Sequence, residues 1–128
     1  MGHRYAARCH RCGAEFVAQE GGGFFFHLLH CDRCGSEKGI RFHDLGEIHL
    51  KFLKGLGMPY CGVTCHYDLW IQENYPGEPI TEEEYHRAVE TFAGKCDCGG
   101  HYRMDAKARC PKCHSADIEA GRVLGYYD

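Results

Sequence analysis

Along the 128-residue chain the spacing of apolar positions changes character twice. Ala14 to Gln19 and Phe24 to Leu29 are short runs suited to strands, and Glu20-Gly21-Gly22-Gly23 between them has turn composition, which predicts a β-hairpin. Its second arm, Phe24-Phe25-Phe26-His27-Leu28-Leu29, is apolar without alternation, as expected of a strand covered on both faces. From Phe42 the period becomes helical: Phe42, Leu45, Ile48, Phe52 and Leu53 recur at three- and four-residue intervals, and Gly55 and Gly57 follow as stops. A second helix starts at Thr81-Glu82-Glu83-Glu84, a capping-box pattern with acidic residues at the positive end of the helix dipole. Tyr85, Ala88, Val89 and Phe92 form its apolar stripe, and Gly94 is placed to cap it. Between Met58 and Ile80, Pro59, Pro76 and Pro79 exclude a long helix and leave room for one short helix around Tyr67 to Glu73. Near the C-terminus, His101 to Met104 and Lys107 to Arg109 read as the arms of another small hairpin, and Ile118 to Tyr127 as a further strand.

This pattern predicts a small α+β fold in three segments: residues 1–38 rich in Cys, Gly and aromatics, a helical acidic middle over 39–94, and a second Cys/Gly segment over 95–128. A thin hairpin cannot cover both faces of the Phe24–Leu29 strand, so the middle segment is expected to pack on it. Trp70, with Tyr67 and Leu69 beside it, is expected in the core.

The ten cysteines bring in chemistry. Residues 1–12 contain no apolar run of signal-peptide length, Gly2 lacks a Ser or Thr where a myristoylation signal needs one, and no stretch reaches membrane-span length. The expectation is a soluble, cytoplasmic protein with no membrane partner, in whose reducing surroundings paired cysteines signify metal or redox chemistry. Cys9-x2-Cys12 and Cys31-x2-Cys34, eighteen residues apart, have the spacing of one four-cysteine site. Cys96-x-Cys98 and Cys110-x2-Cys113, eleven apart, repeat the logic with one tighter turn. Four thiolates make a closed tetrahedral site with no place for water, so two structural zinc ions per chain are expected. Gly13 and Gly35 follow their pairs where the turn tightens.

These motifs, Cys9-x2-Cys12-Gly13 with Cys31-x2-Cys34-Gly35 and Cys96-x-Cys98-Gly99-Gly100 with Cys110-Pro111-x-Cys113, resemble zinc ribbons of the rubredoxin-like group. The resemblance covers the two outer segments and implies metal-bound knuckles on hairpins, in a family whose members serve many functions. Iron is the alternative metal, because a four-sulfur tetrahedron suits both ions.

The remaining candidates are read against simpler roles. Cys61 and Cys65 would lie one helical turn apart, as buried thiols, a half-site or a redox pair. His10, His27, His30 and His114 adjoin the knuckles, yet each quartet is full without them. The net charge of −3 divides into +1 over residues 1–35, −5 over 36–94 and +1 over 95–128, not the basic excess of a protein built to grip phosphates. Arg103, Lys107, Arg109 and Lys112 nevertheless form a basic group beside the second knuckles, which a nucleic acid could use. No catalytic constellation is recognisable. The leading expectation is a non-enzymatic zinc module that binds a protein partner; a nucleic-acid-binding ribbon protein and a rubredoxin-like iron or thiol redox protein are the alternatives.

Overall fold

The computed structural model describes residues 2–128. In chain order it contains β1 (Gly2–Cys9), β2 (Glu15–Glu20), β3 (Phe26–Cys31), β4 (Glu37–Arg41), α1 (Phe42–Leu45), α2 (Glu47–Leu56), α3 (Cys65–Asn74), α4 (Glu82–Ala93), β5 (Tyr102–Arg103) and β6 (Ile118–Tyr127). The α+β class is as expected. The strands form two antiparallel sheets, in the orders β2-β1-β6 and β4-β3-β5.

The connectivity of the strands differs from the expectation in two respects. β2 and β3 do not pair with each other: β2 pairs with β1, from Arg8↔Glu15 to His3↔Glu20, and β3 pairs with β4, from His30↔Glu37 to Phe26↔Arg41. The Gly21–Gly23 stretch therefore joins two sheets instead of closing a hairpin. β1 takes the partner because a tight turn after Cys9 brings β2 straight back along it, and Tyr5, Ala7 and Cys9 alternate as its buried face. The second difference concerns the C-terminal segment, where residues 107–109 form no strand. β5 pairs with β3 (Cys31↔Tyr102, His30↔Arg103), and β6 runs antiparallel along β1 from Cys9↔Ile118 to Gly2↔Tyr127. A two-stranded hairpin is marginal on its own in water, and a third strand from the far end of the chain completes each sheet. Ribbons confined to the two ends around a helical middle are thus replaced by two sheets, each drawing on both ends.

The main core forms between the β4-β3-β5 sheet and the helices. Leu29 and Ile40 pack with Leu45, Phe52, Tyr85, Val89 and Ala93, with Tyr102 and Met104 at the margin. The apolar β3 is the central strand of its sheet and is covered by the middle segment as expected. Toward the other sheet, His30 Nε2 donates to the Gln19 carbonyl at 2.9 Å. A smaller cluster of Tyr5, Ala7, Ala18 and Ala108 fills the space beside the β2-β1-β6 sheet.

The first expected helix is broken at Gly46 (φ 59°) into α1 and α2, and Gly57 (φ 72°) ends α2. α4 begins with the capping box: the Thr81 hydroxyl accepts from the Glu84 amide at 3.1 Å, and the Glu84 carboxylate accepts from the Thr81 amide at 3.1 Å. Trp70 is not in the core; it is 59% exposed on α3, which turns Asp68 and Ile71 inward instead. The cause lies in the preceding loop, whose Tyr60 amide and Thr64 hydroxyl both donate to Asp68 Oδ2, at 2.8 and 2.7 Å, and fix the helix rotation. Among the described residues no helix is long and apolar enough to cross a membrane.

Candidate metal centres

Four short turns carry eight of the ten cysteines, and three of them are built alike. In Cys9–Ala14, Cys31–Ser36 and Cys110–Ser115, the first cysteine's amide donates to the carbonyl five residues on, at 2.8–2.9 Å. Its own carbonyl accepts from the amide four residues on, at 2.9–3.0 Å. The fourth turn, at Cys96, is one residue shorter, with Cys96 N–H to the Gly100 carbonyl at 2.8 Å and Gly99 N–H to the Cys96 carbonyl at 3.0 Å. The residue after the second cysteine must take a positive φ in every case: Gly13 76°, Gly35 77°, Gly99 93° and His114 64°. Glycine adopts this conformation freely, and His is among the side chains that tolerate it.

The turns meet in two quartets, Cys9/Cys12/Cys110/Cys113 and Cys31/Cys34/Cys96/Cys98, in each of which the four sulfurs lie within 4.8 Å of one another. The same eight cysteines were expected to cluster, but not in these groups. The grouping of Cys9 and Cys12 with Cys31 and Cys34, and of Cys96 and Cys98 with Cys110 and Cys113, is corrected: the first pair meets the last, and the second meets the third. Strand pairing is the cause, since β6 leaves the Cys110 turn to run along β1, while β5 leaves the Cys96 turn to run along β3. The outer site joins residues 98 positions apart (Cys12 and Cys110) and the inner site residues 62 apart (Cys34 and Cys96).

The sulfur geometry suits a four-coordinate ion. A tetrahedron with bonds of ~2.3 Å has edges of about 3.8 Å. The structure holds Cys9–Cys113 at 3.5 Å, Cys12–Cys110 at 3.6 Å, Cys31–Cys98 at 3.4 Å and Cys34–Cys96 at 3.6 Å. Backbone amides face the thiolates: Cys12 N–H toward Cys9, Arg33 and Cys34 N–H toward Cys31, Gly100 N–H toward Cys98 and Lys112 N–H toward Cys110, at 3.4–3.5 Å.

The electrostatics of the sulfurs point the same way. Amide donation, from Cys98 and Cys113 respectively, brings the Cys96 and Cys110 thiols down to about 6. At Cys98 the Gly100 amide also lowers, but burial and the neighbouring sulfurs prevail and push it up to about 12; at Cys113 the same opposition, against the Ser115 amide, leaves it at about 11. Four thiols this close cannot all ionise beside one another without a cation to balance them. A divalent ion would make them uniformly anionic ligands. Both quartets can therefore hold a metal ion, and each would be closed by protein sulfur alone.

The two centres are neighbours. A Cβ built on Gly35, in the inner site, would stand 2.5 Å from Arg109 Cβ and 2.8 Å from its amide nitrogen, beside the outer site. Phe16, Val17, Cys34, Arg109, Pro111 and His114 line a cleft between them.

The other candidates take separate places. Cys61 and Cys65 belong to neither quartet, and the Cys61 sulfur lies 3.1 Å from the Thr64 hydroxyl. None of the histidines joins a quartet: His10 Nδ1 meets Asp117 at 2.9 Å, and His27 meets the Tyr85 hydroxyl at 2.7 Å. The basic residues do not converge on one cleft. Arg103 pairs with Asp32 at 3.4 Å and Glu90 at 3.6 Å, Arg109 donates to the His114 carbonyl at 3.1 Å, and Lys107 lies by the groove beside β1 and β6. Sequence reasoning missed β1 and the shared Tyr85 hydroxyl. The Tyr5/Ala7/Cys9 alternation carried a signal for the strand, whereas nothing in the spacing pointed to the tyrosine.

A family model described as a domain of unknown function (DUF8255) matches residues 5–119. The match spans most of the chain, which therefore belongs to this family. No curated protein and no solved structure matches.

Proposed function

We propose that this member of the DUF8255 family is a structural zinc protein, in which two zinc ions pin the N-terminal hairpins to C-terminal turns and give the chain a rigid surface for a protein partner. The observation that carries the reading is the pair of complete four-cysteine quartets, closed by amide-bonded turns. Zinc is favoured over iron because a d10 ion takes the tetrahedron without redox demands and serves widely as a folding element. The ion would supply cohesion, while the chain's own residues set the sulfur positions and shield them with N–H groups. The partner is expected to be a protein because the middle segment is acidic and Arg103 is already engaged by Asp32 and Glu90.

Elemental analysis of the purified protein tests the reading, with an expected content of about two zinc per chain. Metal-free protein that keeps its native circular dichroism and amide protection would defeat it. A visibly coloured protein containing iron would replace zinc by iron.

A further inference from the structure

Away from the metal centres, buried polar side chains gather where β3, α2, α3 and α4 meet. The fully buried Tyr85 hydroxyl lies 2.7 Å from His27 Nε2 and 2.8 Å from His49 Nδ1. One hydroxyl proton serves two imidazoles, so one ring nitrogen accepts from the tyrosine and the other donates to it. His49 is also stacked on Phe42, with ring centres 4.2 Å apart, so its orientation is fixed.

That fixed ring presents its other nitrogen to a cleft. His49 Nε2 makes no hydrogen bond among the described residues, and no buried side-chain nitrogen or oxygen there lacks a partner. Nε2 is therefore accessible, although His49 is only 7% exposed. The same holds for Asp68, which is 2% exposed: Oδ2 accepts from the Tyr60 amide and the Thr64 hydroxyl, and Oδ1 is left accessible. Both residues line one cleft of about 580 Å3, a volume within the ordinary range for small-molecule sites. Phe25, Phe42, Leu50, Val63 and Tyr67 supply its apolar walls.

We propose that this cleft binds a small organic cation, a protonated amine on an apolar or aromatic body, with the ammonium group on Asp68 Oδ1 and His49 Nε2. The carboxylate determines the sign of the ligand's charge. No Lys or Arg lines the cleft, and Asp68 has no ion pair among the described residues, so the Tyr60 and Thr64 hydrogen bonds to Oδ2 are all that offset its burial until a cation arrives. The Phe25, Phe42 and Tyr67 rings on the walls suit the apolar or aromatic body of the ligand. Burial lowers the His49 imidazole to about 4, so at neutral pH it receives the cation as a neutral acceptor. A metal ion is a poorer occupant, because no third ligating side chain joins these two. The site is independent of the cysteine quartets, and its failure would leave the zinc reading intact.

The test is titration of phenethylamine into the metal-loaded full chain, read by calorimetry and by the ring signals of His49 in NMR. Saturable binding that shifts those signals is expected, with 2-phenylethanol, the neutral analogue, at least about tenfold weaker. Asp68→Asn should cost about tenfold or more. Val63→Lys, at a position 58% exposed, should cost a similar factor by placing a positive charge on the wall without disturbing the core. If Asp68→Asn does not fold, Val63→Lys decides. No binding at millimolar amine, equal binding of the alcohol, or wild-type affinity in Val63→Lys would overturn the proposal.

Discussion

The residue after the second cysteine governs how each turn closes, and two glycines with the same conformation occupy different surroundings. Gly13 (φ 76°) has open space where a Cβ would stand, so Gly13→Ala adds only the left-handed strain, about 1–2 kcal/mol. Gly35 (φ 77°) faces the Arg109 backbone, where a Cβ would stand 2.8 Å from the amide nitrogen, so Gly35→Ala adds a clash that no side-chain rotation relieves. Thermal unfolding of zinc-loaded protein should show Gly35→Ala lowering Tm clearly more than Gly13→Ala; equal losses would mean that the two centres do not abut. At this scale the sequence was largely legible. Each Cys-x2-Cys announced a pair of cysteines carried on one turn, and the glycines announced that the turn is tight. The approach of Gly35 to Arg109 is a contact between residues remote in sequence, and no local pattern encodes it.

Among the elements, the helices were legible through their stripes and caps, while the bond tying them to the sheet was not. His27 on β3, His49 on α2 and Tyr85 on α4 form one hydrogen-bonded group, so three elements share a single hydroxyl. Phe52 stacks on the same tyrosine, with ring centres 3.9 Å apart. His27 sat inside an apolar run, where its role depends on which helix covers the strand. Burial lowers both imidazoles from the ordinary 6.5 to about 4. In that window the unfolded chain binds more protons than the folded one, so stability is complete above about 6.5 and is lost as pH falls toward 4. Each histidine should contribute about 1–2 kcal/mol to the loss between about pH 7 and pH 5. Urea unfolding of the wild type and of His27→Gln at both pH values isolates this contribution, because metal loss in acid is common to the two proteins. The variant should show the shallower pH dependence, and identical slopes would mean that His27 is not held neutral by burial.

Over the whole molecule, the order of the cysteine pairs along the chain is nested: the first pair closes on the last around the second closing on the third. The eight clustered cysteines were legible from spacing, but their grouping was not. Spacing favours neighbours in sequence, whereas β1–β6 and β3–β5 pairing decides which turns face one another. The missed β1, masked by its arginines, was the strand that would have revealed this. The nesting also places α1 to α4 inside the inner closure, so a metal ion held by the inner quartet would tie the helical layer's entry to its exit. The metal content of two double variants tests this arrangement directly. Cys9→Ser with Cys110→Ser strikes the outer quartet alone and should leave about one zinc per chain, whereas Cys9→Ser with Cys31→Ser strikes both quartets and should leave almost none. The reverse result, zinc retained in Cys9→Ser/Cys31→Ser and lost in Cys9→Ser/Cys110→Ser, would mean that each centre is built from pairs adjacent in sequence and would contradict the nested fold.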